Sequence, residues 1–219
     1  MKNKFKNFLD NESKKDYFIE LFKKIANERK TNNVFPDDNL IFESLNYCEP
    51  EDIKLIILGQ DPYYTKGYAD GLAFSSAIDK CPKSLSNIIK ELKKDYPMSI
   101  INTYSLKSWA KNGVLLLNTI LTVNENKPKS HANFGWEIFV KNLLSFILKV
   151  NKKAIFGIWG NEALKVVKNI VDSERIIYLS HPSPFSYDKG RNSFKDSSFF
   201  KKVNEKLEND PINFDIRKE

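Results

Sequence analysis

The sequence predicts an α/β fold in which a mainly parallel sheet carries helices on both faces. Two observations predict it. Four short runs, residues 53–58, 114–117, 154–159 and 175–179, hold Ile, Leu or Val at consecutive rather than alternating positions. That is the pattern of strands buried on both faces, as in a parallel sheet. Between the runs lie segments whose apolar residues recur at helical spacing, and strands alternating with helices build parallel crossovers.

In chain order, Tyr17, Phe18, Leu21, Phe22 and Ile25 predict an N-terminal helix. After the first strand, Leu85, Ile88, Ile89 and Leu92 predict a helix, with Ser84 as its N-cap behind Pro82. Residues 136–150 carry a broad apolar face of Phe139, Val140, Leu143, Leu144 and Ile147, and a shorter helix is expected over 163–171. Phe199, Val203 and Leu207 place a last helix near the end. The stretches 1–15 and 208–219 read as mixed-charge tails. No repeat, Gly/Ser linker or low-complexity segment interrupts the chain, so residues 1–219 are expected to form one domain.

Composition narrows the function. With 41% hydrophobic residues, the chain has the means to bury a core, which excludes a disordered protein. The apolar runs fall short of the ~18–20 residues a membrane span needs. Residues 1–16 lack the apolar core of a secretory signal, so a soluble, cytoplasmic protein is expected. Two cysteines, Cys48 and Cys81, without a C-x-x-C pair argue against a disulfide scaffold and a structural zinc site. No His/Cys/Asp/Glu cluster has metal-ligand spacing. The formal charge of +7 favours a polyanionic partner, although a Lys- and Asn-rich composition accounts for it equally well.

The residues just beyond each strand are more specific. The first strand runs into Gly59-Gln60-Asp61-Pro62-Tyr63-Tyr64, the second into Asn118-Thr119, the third into Gly160-Asn161, and the fourth into Ser180-His181-Pro182-Ser183-Pro184-Phe185-Ser186. Ligands of open α/β sheets bind outside the carboxyl ends of the strands. The four clusters should therefore meet on one rim, although Asp61 and His181 are 120 positions apart.

Taken singly, the rim residues leave several chemistries open. Asp61, before a stiffening proline, can orient a water, act as a base, hold a metal, stabilise a developing positive charge, or simply cap its own loop. His181, between Ser180 and two prolines, can polarise an oxygen or shuttle a proton, or be structural. His131 lacks that rigid frame and reads as loop packing. Asn118 offers a donor and an acceptor together, which suits the edge of a pyrimidine and also suits a buried structural amide. Phe74 reads equally as core, whereas Tyr63 and Tyr64 are bulky enough for a pocket wall. Neither a P-loop nor a dinucleotide fingerprint is present.

Together, Gly59 to Tyr63, Gly71 to Ser75, Leu115 to Val123, Gly135-Trp136-Glu137 and His181 to Ser186 resemble the motif set of the uracil-DNA glycosylases of the Ung type, family 1. The resemblance spans about residues 35–207. It implies a three-layer α/β/α sandwich on a central four-stranded parallel sheet. The implied activity is base-excision repair: hydrolysis of the N-glycosidic bond of deoxyuridine in single- or double-stranded DNA, releasing uracil and leaving an abasic site. It further implies that Asp61 positions a water and stabilises the sugar cation, and that neutral His181 donates to uracil O2. Asn118 would read N3 and O4, Phe74 would stack on the flipped ring, Tyr63 would exclude a 5-methyl group, and the Gln60 amide would help hold O2. Ser84, Ser183, Tyr64 and Asn161 would face DNA, with Phe185 as the wedge. Lys189, Arg191 and Lys195 would add backbone attraction. No cofactor or metal and no membrane partner is expected, and the chain would act as a monomer; no inhibitor or replication partner is indicated.

Three positions depart from the family's usual residues. Tyr64 stands in place of His, Phe185 in place of Leu, and Asn161 in place of Ser. Tyr64 keeps two competitors in view: a DNA-binding module of the same fold with its chemistry lost or secondary, and a glycosylase of broader base choice in which Tyr64 repositions Tyr63.

Overall fold

The computed structural model describes residues 1–218. Helices α1 (Asn3–Glu12) and α2 (Asp16–Glu28) lead into a short strand β1 (Val34–Phe35) and then the first long strand, β2 (Leu55–Gly59). Helices α3 (Lys83–Asp95) and α4 (Lys107–Lys111) precede β3 (Val114–Asn118) and the short β4 (Val123–Asn124). Then come α5 (Trp136–Val150), β5 (Ile155–Trp159), α6 (Asn161–Val167), β6 (Ile176–Leu179) and α7 (Phe199–Leu207). The four long strands pair in the order β3-β2-β5-β6, and every pairing is parallel. β1 and β4 form a separate antiparallel ribbon.

Consecutive apolar residues make sense in this arrangement, because each strand feeds two cores. Ile56, Leu58, Leu115, Leu117, Phe156 and Ile158 face one side, where α1, α2, α5 and α6 pack. Leu55, Ile57, Val114, Leu116 and Ile155 face the other, under α3, α4 and α7. Each fully buried Leu, Ile or Phe contributes about 1.5–3 kcal/mol of apolar transfer, so a strand polar on either face would strip one helical layer. The three-layer expectation holds. Among the described residues no helix is long and apolar enough to cross a membrane.

The differences lie at edges. The first strand starts two residues later than expected and the third and fourth one later, while Arg175 closes a short 3-10 turn ahead of β6. Pro82, not Ser84, is the N-cap of α3; Ser84 lies one residue inside the first turn, because proline's fixed φ and missing N–H suit the boundary. α6 runs over Asn161–Val167 rather than 163–171, starting directly after Gly160. The terminal segments are not loose tails. α1 buries Phe5 and Phe8, and Phe8 stacks on Phe146 of α5. At the other end Ile212, Phe214 and Ile216 are buried, and the Trp109 indole N–H donates to the Phe214 carbonyl at 2.7 Å.

His131 is packing, as expected, and its hydrogen bonds have one consistent direction. The Trp136 indole N–H donates to Thr122 Oγ1, leaving that hydroxyl's proton for His131 Nδ1 at 2.7 Å. The ring proton therefore sits on Nε2 and is donated to Asn124 Oδ1 at 2.9 Å. Burial lowers its pKa to about 4, which keeps it neutral. This chain of bonds shapes the loop over residues 124–135, which reaches the rim of the sheet.

Candidate active site

The parallel register brings the strand ends together. Gly59 pairs with Asn118 across β2 and β3, and the ladder continues as Thr119 N–H donates to Gly59 O and Ile120 N–H to Gln60 O. Beside it, Gly160 N–H donates to Leu179 O at the ends of β5 and β6. A cleft of about 450 Å³ opens at this rim. Gln60, Asp61, Tyr63, Tyr64, Phe74, Ser84, Asn118 and His181 all line it. Its size suits one small ligand ring with room for its attached sugar.

Gly59 is what lets Asn118 reach in. A Cβ at position 59 would lie 2.2 Å from Asn118 Oδ1 and 2.9 Å from Ala73 Cβ. Asn118 is 7% exposed, and no hydrogen bond within the described residues occupies its side-chain amide. It presents a donor and an acceptor side by side to the cleft.

Asp61 accepts a hydrogen bond from the Lys129 backbone N–H at 2.9 Å through Oδ2. Lys129 adopts φ +61°, the turn that aims its amide at the carboxylate. Burial raises the Asp61 pKa, and the Lys129 amide and charge pull it back. The other carboxylate oxygen is left for a further donor such as water.

His181 accepts at Nδ1 from the Ser183 backbone N–H, at 3.0 Å. A backbone N–H only donates, so neutral His181 must carry its proton on Nε2. Burial lowers its pKa, favouring that neutral form. The loop beyond it is held to α3: Asn87 Nδ2 donates to Pro182 O at 2.8 Å, and the Tyr187 hydroxyl donates to buried Glu91.

Phe74 is half-buried, its ring centroid 5.7 Å from that of His181 and 5.1 Å from Trp159. The Tyr63 hydroxyl donates to the Phe74 carbonyl at 3.2 Å, and its ring packs edgewise on Tyr68 at 6.0 Å. That hydroxyl is pushed well above the ordinary tyrosine pKa by burial, so Tyr63 stays a neutral wall.

The remaining expected residues lie around the mouth. Phe185 projects with 82% of its surface exposed, and Tyr64 is 42% exposed. Ser183 is half-buried beneath His181. Asn161 stands outside the cleft, in a recess of about 150 Å³ that shares Gly59, Gln60 and His181 with it, and its Oδ1 accepts from the Tyr178 hydroxyl. Lys189 and Arg191 are exposed, whereas Lys195 is paired with Asp188. Among the described residues no group of three or more His, Cys, Asp or Glu side chains could hold a metal ion.

Two contributors carry little or no sequence signal. The Lys129 amide has no signature, because any residue supplies a backbone N–H. Asp70 supports the Phe74 loop, and its Asp-Gly dipeptide, a common turn signal, was the available clue.

With this geometry in place, similarity to known proteins becomes specific. The sequence model of the uracil DNA glycosylase superfamily matches residues 45–208. The chain is 43% identical over 204 residues to the uracil-DNA glycosylase of Mesomycoplasma hyopneumoniae strain 7448, covering 93% of this chain and 92% of that one. It is 46% identical over 191 residues to that of Borreliella burgdorferi strain ZS7, covering 85% of each. The crystal structure of mimivirus uracil-DNA glycosylase aligns with a TM-score of 0.87 at 32% identity, over 96% of this chain and 85% of that one. A mimivirus UNG variant in complex with UGI aligns with a TM-score of 0.90 at 31% identity, over 99% and 89%. Likeness over this much of the sequence and of the fold is decisive: the chain belongs to the uracil DNA glycosylase superfamily.

Proposed function

We propose that this chain removes uracil from DNA by hydrolysing the bond between deoxyribose C1′ and uracil N1, and that the cleft at the strand ends is where it does so. The observation that carries the reading is the convergence of Asp61, Tyr63, Phe74, Asn118 and His181 on one cavity. A base inside a duplex is out of reach, so it must be extruded, at a cost of a few kcal/mol. Stacking on Phe74 returns roughly 1–3 kcal/mol, and Phe185, exposed at the mouth, fills the vacated stack. Asn118 Oδ1 accepts from uracil N3–H while Nδ2 donates to O4. Cytosine reverses both roles and leaves buried polar groups unpaired, a mismatch worth up to ~10⁴-fold. Tyr63 occupies the space of a 5-methyl group and so rejects thymine.

Bond cleavage leaves the electron pair on uracil N1, delocalised onto O2, and a cation on the sugar. His181 Nε2–H and the Gln60 amide donate to O2, and a preorganised donor of this kind is worth about 3–4 kcal/mol. The Asp61 carboxylate stabilises the sugar cation and orients a water, whose oxygen bonds to C1′ as its proton passes to Asp61. Ser84, Ser183, Tyr64 and Asn161 hold the flanking backbone. One chain supplies every group, so a monomer suffices on single- or double-stranded DNA. The free thiols Cys48 and Cys81 suit the reducing cytoplasm.

The test is release of free uracil from a uracil-containing oligonucleotide, single- and double-stranded, without added metal. Tight DNA binding with no uracil released would replace this reading with that of a binding module.

A further inference from the structure

We infer that Asp70, a carboxylate that lines neither the cleft nor its recess, is a positioning residue for the stacking ring of Phe74. The inference rests on the reading of Phe74 as the surface that receives the flipped base. Phe74 adopts φ +64°, in the left-handed region that bulky side chains rarely enter. Such a conformation persists only where the surroundings over-determine it, and such places cluster at ligand clamps.

Backbone bonds from Ala73 N–H to Leu116 O and from Ser76 N–H to Tyr104 O flank Phe74, and the side-chain constraints on both sides of it lead back to one carboxylate. Asp70 is 4% exposed. Its Oδ1 accepts from the Leu72 backbone N–H at 3.1 Å, two residues before the ring. Its Oδ2 accepts from the Ser75 hydroxyl, one residue after the ring, and from the Ser105 hydroxyl at 3.4 Å. Ser75 Oγ accepts in turn from the Leu106 backbone N–H at 2.9 Å, which ties the loop to the start of α4. Position 71 must be glycine for this path: it adopts φ +86°, and a Cβ there would lie 2.1 Å from Leu40 O.

The residue type is dictated by the donor count. Three donors converge on Asp70, and an ionised carboxylate is acceptor-only with about four lone-pair sites. An amide has a single acceptor oxygen, so asparagine can keep the Leu72 bond but reaches Ser75 only by reversing that bond, with the hydroxyl proton, and that of Ser105, left without this acceptor. Asp70 lines neither the cleft nor its recess, and acts on the base only through the ring it sets.

The experiment compares two probes. Free uracil, measured as an inhibitor of uracil release, reports the stacking surface; an oligonucleotide carrying a tetrahydrofuran abasic analogue binds the same enzyme with no base to stack. Asp70→Asn and Ser75→Ala should each weaken inhibition by uracil at least about fivefold, the lower end of what one stacked base supplies. Affinity for the abasic oligonucleotide should stay within about twofold, the spread of uncoupled sites. Phe74→Ala is the control and should weaken uracil at least as much. If Phe74→Ala weakens uracil while both loop variants leave it unchanged, the role of Asp70 is overturned and that of Phe74 stands. If Phe74→Ala has no effect on uracil, the reading of the stacking surface fails and takes this inference with it. Equal losses on both probes would assign Asp70 to general stability and also overturn it. Should Asp70→Asn not fold, Ser75→Ala decides alone, since it keeps the buried carboxylate and its bond to Leu72.

Discussion

Replacing Gly59 with alanine tests whether the Asn118 amide is the reading head of the cleft. The added Cβ would stand 2.2 Å from Asn118 Oδ1, against ordinary contacts of 3.4–4 Å, so the oxygen must retreat by about 1 Å. It would also press on Ala73 Cβ at 2.9 Å, a lesser overlap. A 1 Å misplacement of a positioning group costs about 10²-fold in rate, or ~2.7 kcal/mol of transition-state stabilisation. Gly59→Ala should therefore lower kcat/KM for uracil release about 10²-fold and narrow the preference for uracil over cytosine. Overpacking itself destabilises by about 1–3 kcal/mol, and each kcal/mol lowers Tm by about 2–4 °C in a chain of this size. Adding Ala73→Gly relieves only the lesser overlap and costs about 0.5–1 kcal/mol of its own, so it should recover neither the rate nor the full Tm. Steady-state kinetics on oligonucleotides with one uracil or one cytosine, beside thermal melts, measure all three. Uracil release within about threefold of the parent, with base preference intact, would refute the assignment, because a displacement that large cannot spare an atom that reads the base.

Asp61→Asn should lower turnover by about 10²–10⁴-fold, the range of a lost acid–base group, with little change in affinity for uracil-containing DNA; parallel losses in both would contradict its role. Tyr63→Ala should let thymine be released from DNA, and continued strict rejection in that assay would put the wall elsewhere. The working state pairs ionised Asp61 with neutral His181. Burial raises the first pKa from its ordinary 3.8 and lowers the second from its ordinary 6.5, so the pH–rate profile should stay flat from neutrality through 6.5 and fall only at more acidic pH. A rise in rate between pH 7 and 6 would identify the imidazolium as the working form. Stability should fall in the same direction. Folded His131 takes up its proton only near pH 4 while the unfolded chain does so near 6.5, so the unfolded state binds more protons throughout that window. Urea midpoints should drop from pH 6.5 to 5, and His131→Gln should flatten that drop; an unchanged slope would exclude His131 as its source.

The long strands were legible because burial on both faces demands consecutive apolar residues, and α5 because six inward residues at helical spacing leave one reading. Helix α1 was not. Its inward residues Phe5, Phe8 and Leu9 are a thin stripe among lysines and asparagines, and what makes burial favourable is an aromatic surface on α5, Phe139 and Phe146, more than 130 positions later. The 212–216 segment is similar: Ile212, Phe214 and Ile216 alternate like a short strand, but distant partners give them a place, Trp109 and Phe200 against Phe214, Asn204 against Ile212, and the backbone of Ile100 and Asn102 against Ile216. Asp61, Asn118 and His181 could be placed near one another because each comes just after a strand, and parallel strands end on one side. The rest of the cleft arrives on loops whose conformation depends on distant partners. Asp70 is placed by donors at Leu72, Ser75 and Ser105, of which only Leu72 and Ser75 are near in sequence.

The two groups proposed to do the chemistry are prepared by the same device. A backbone amide on Asp61 Oδ2 favours the ionised carboxylate against the burial that opposes it, and a backbone amide on His181 Nδ1 requires the remaining ring proton to sit on Nε2. Charged neighbours would bias these states as well, but at a DNA surface they would be screened by salt and engaged by phosphates. Backbone donors are neither screened nor competed away, and they are independent of side-chain identity. Lys129 at φ +61° and Ser183 behind Pro182 are needed for where their N–H groups point. Burial biases the protonation states of the cleft and loop geometry refines them, fixing the His181 tautomer and favouring ionised Asp61; for Lys129 that geometry runs back through Ser130 and the bonded chain of Asn124, His131, Thr122 and Trp136. Breaking that chain should disturb Asp61 from outside the cleft, so His131, a packing residue by every local measure, is linked to the chemistry through Asn124, Ser130 and Lys129.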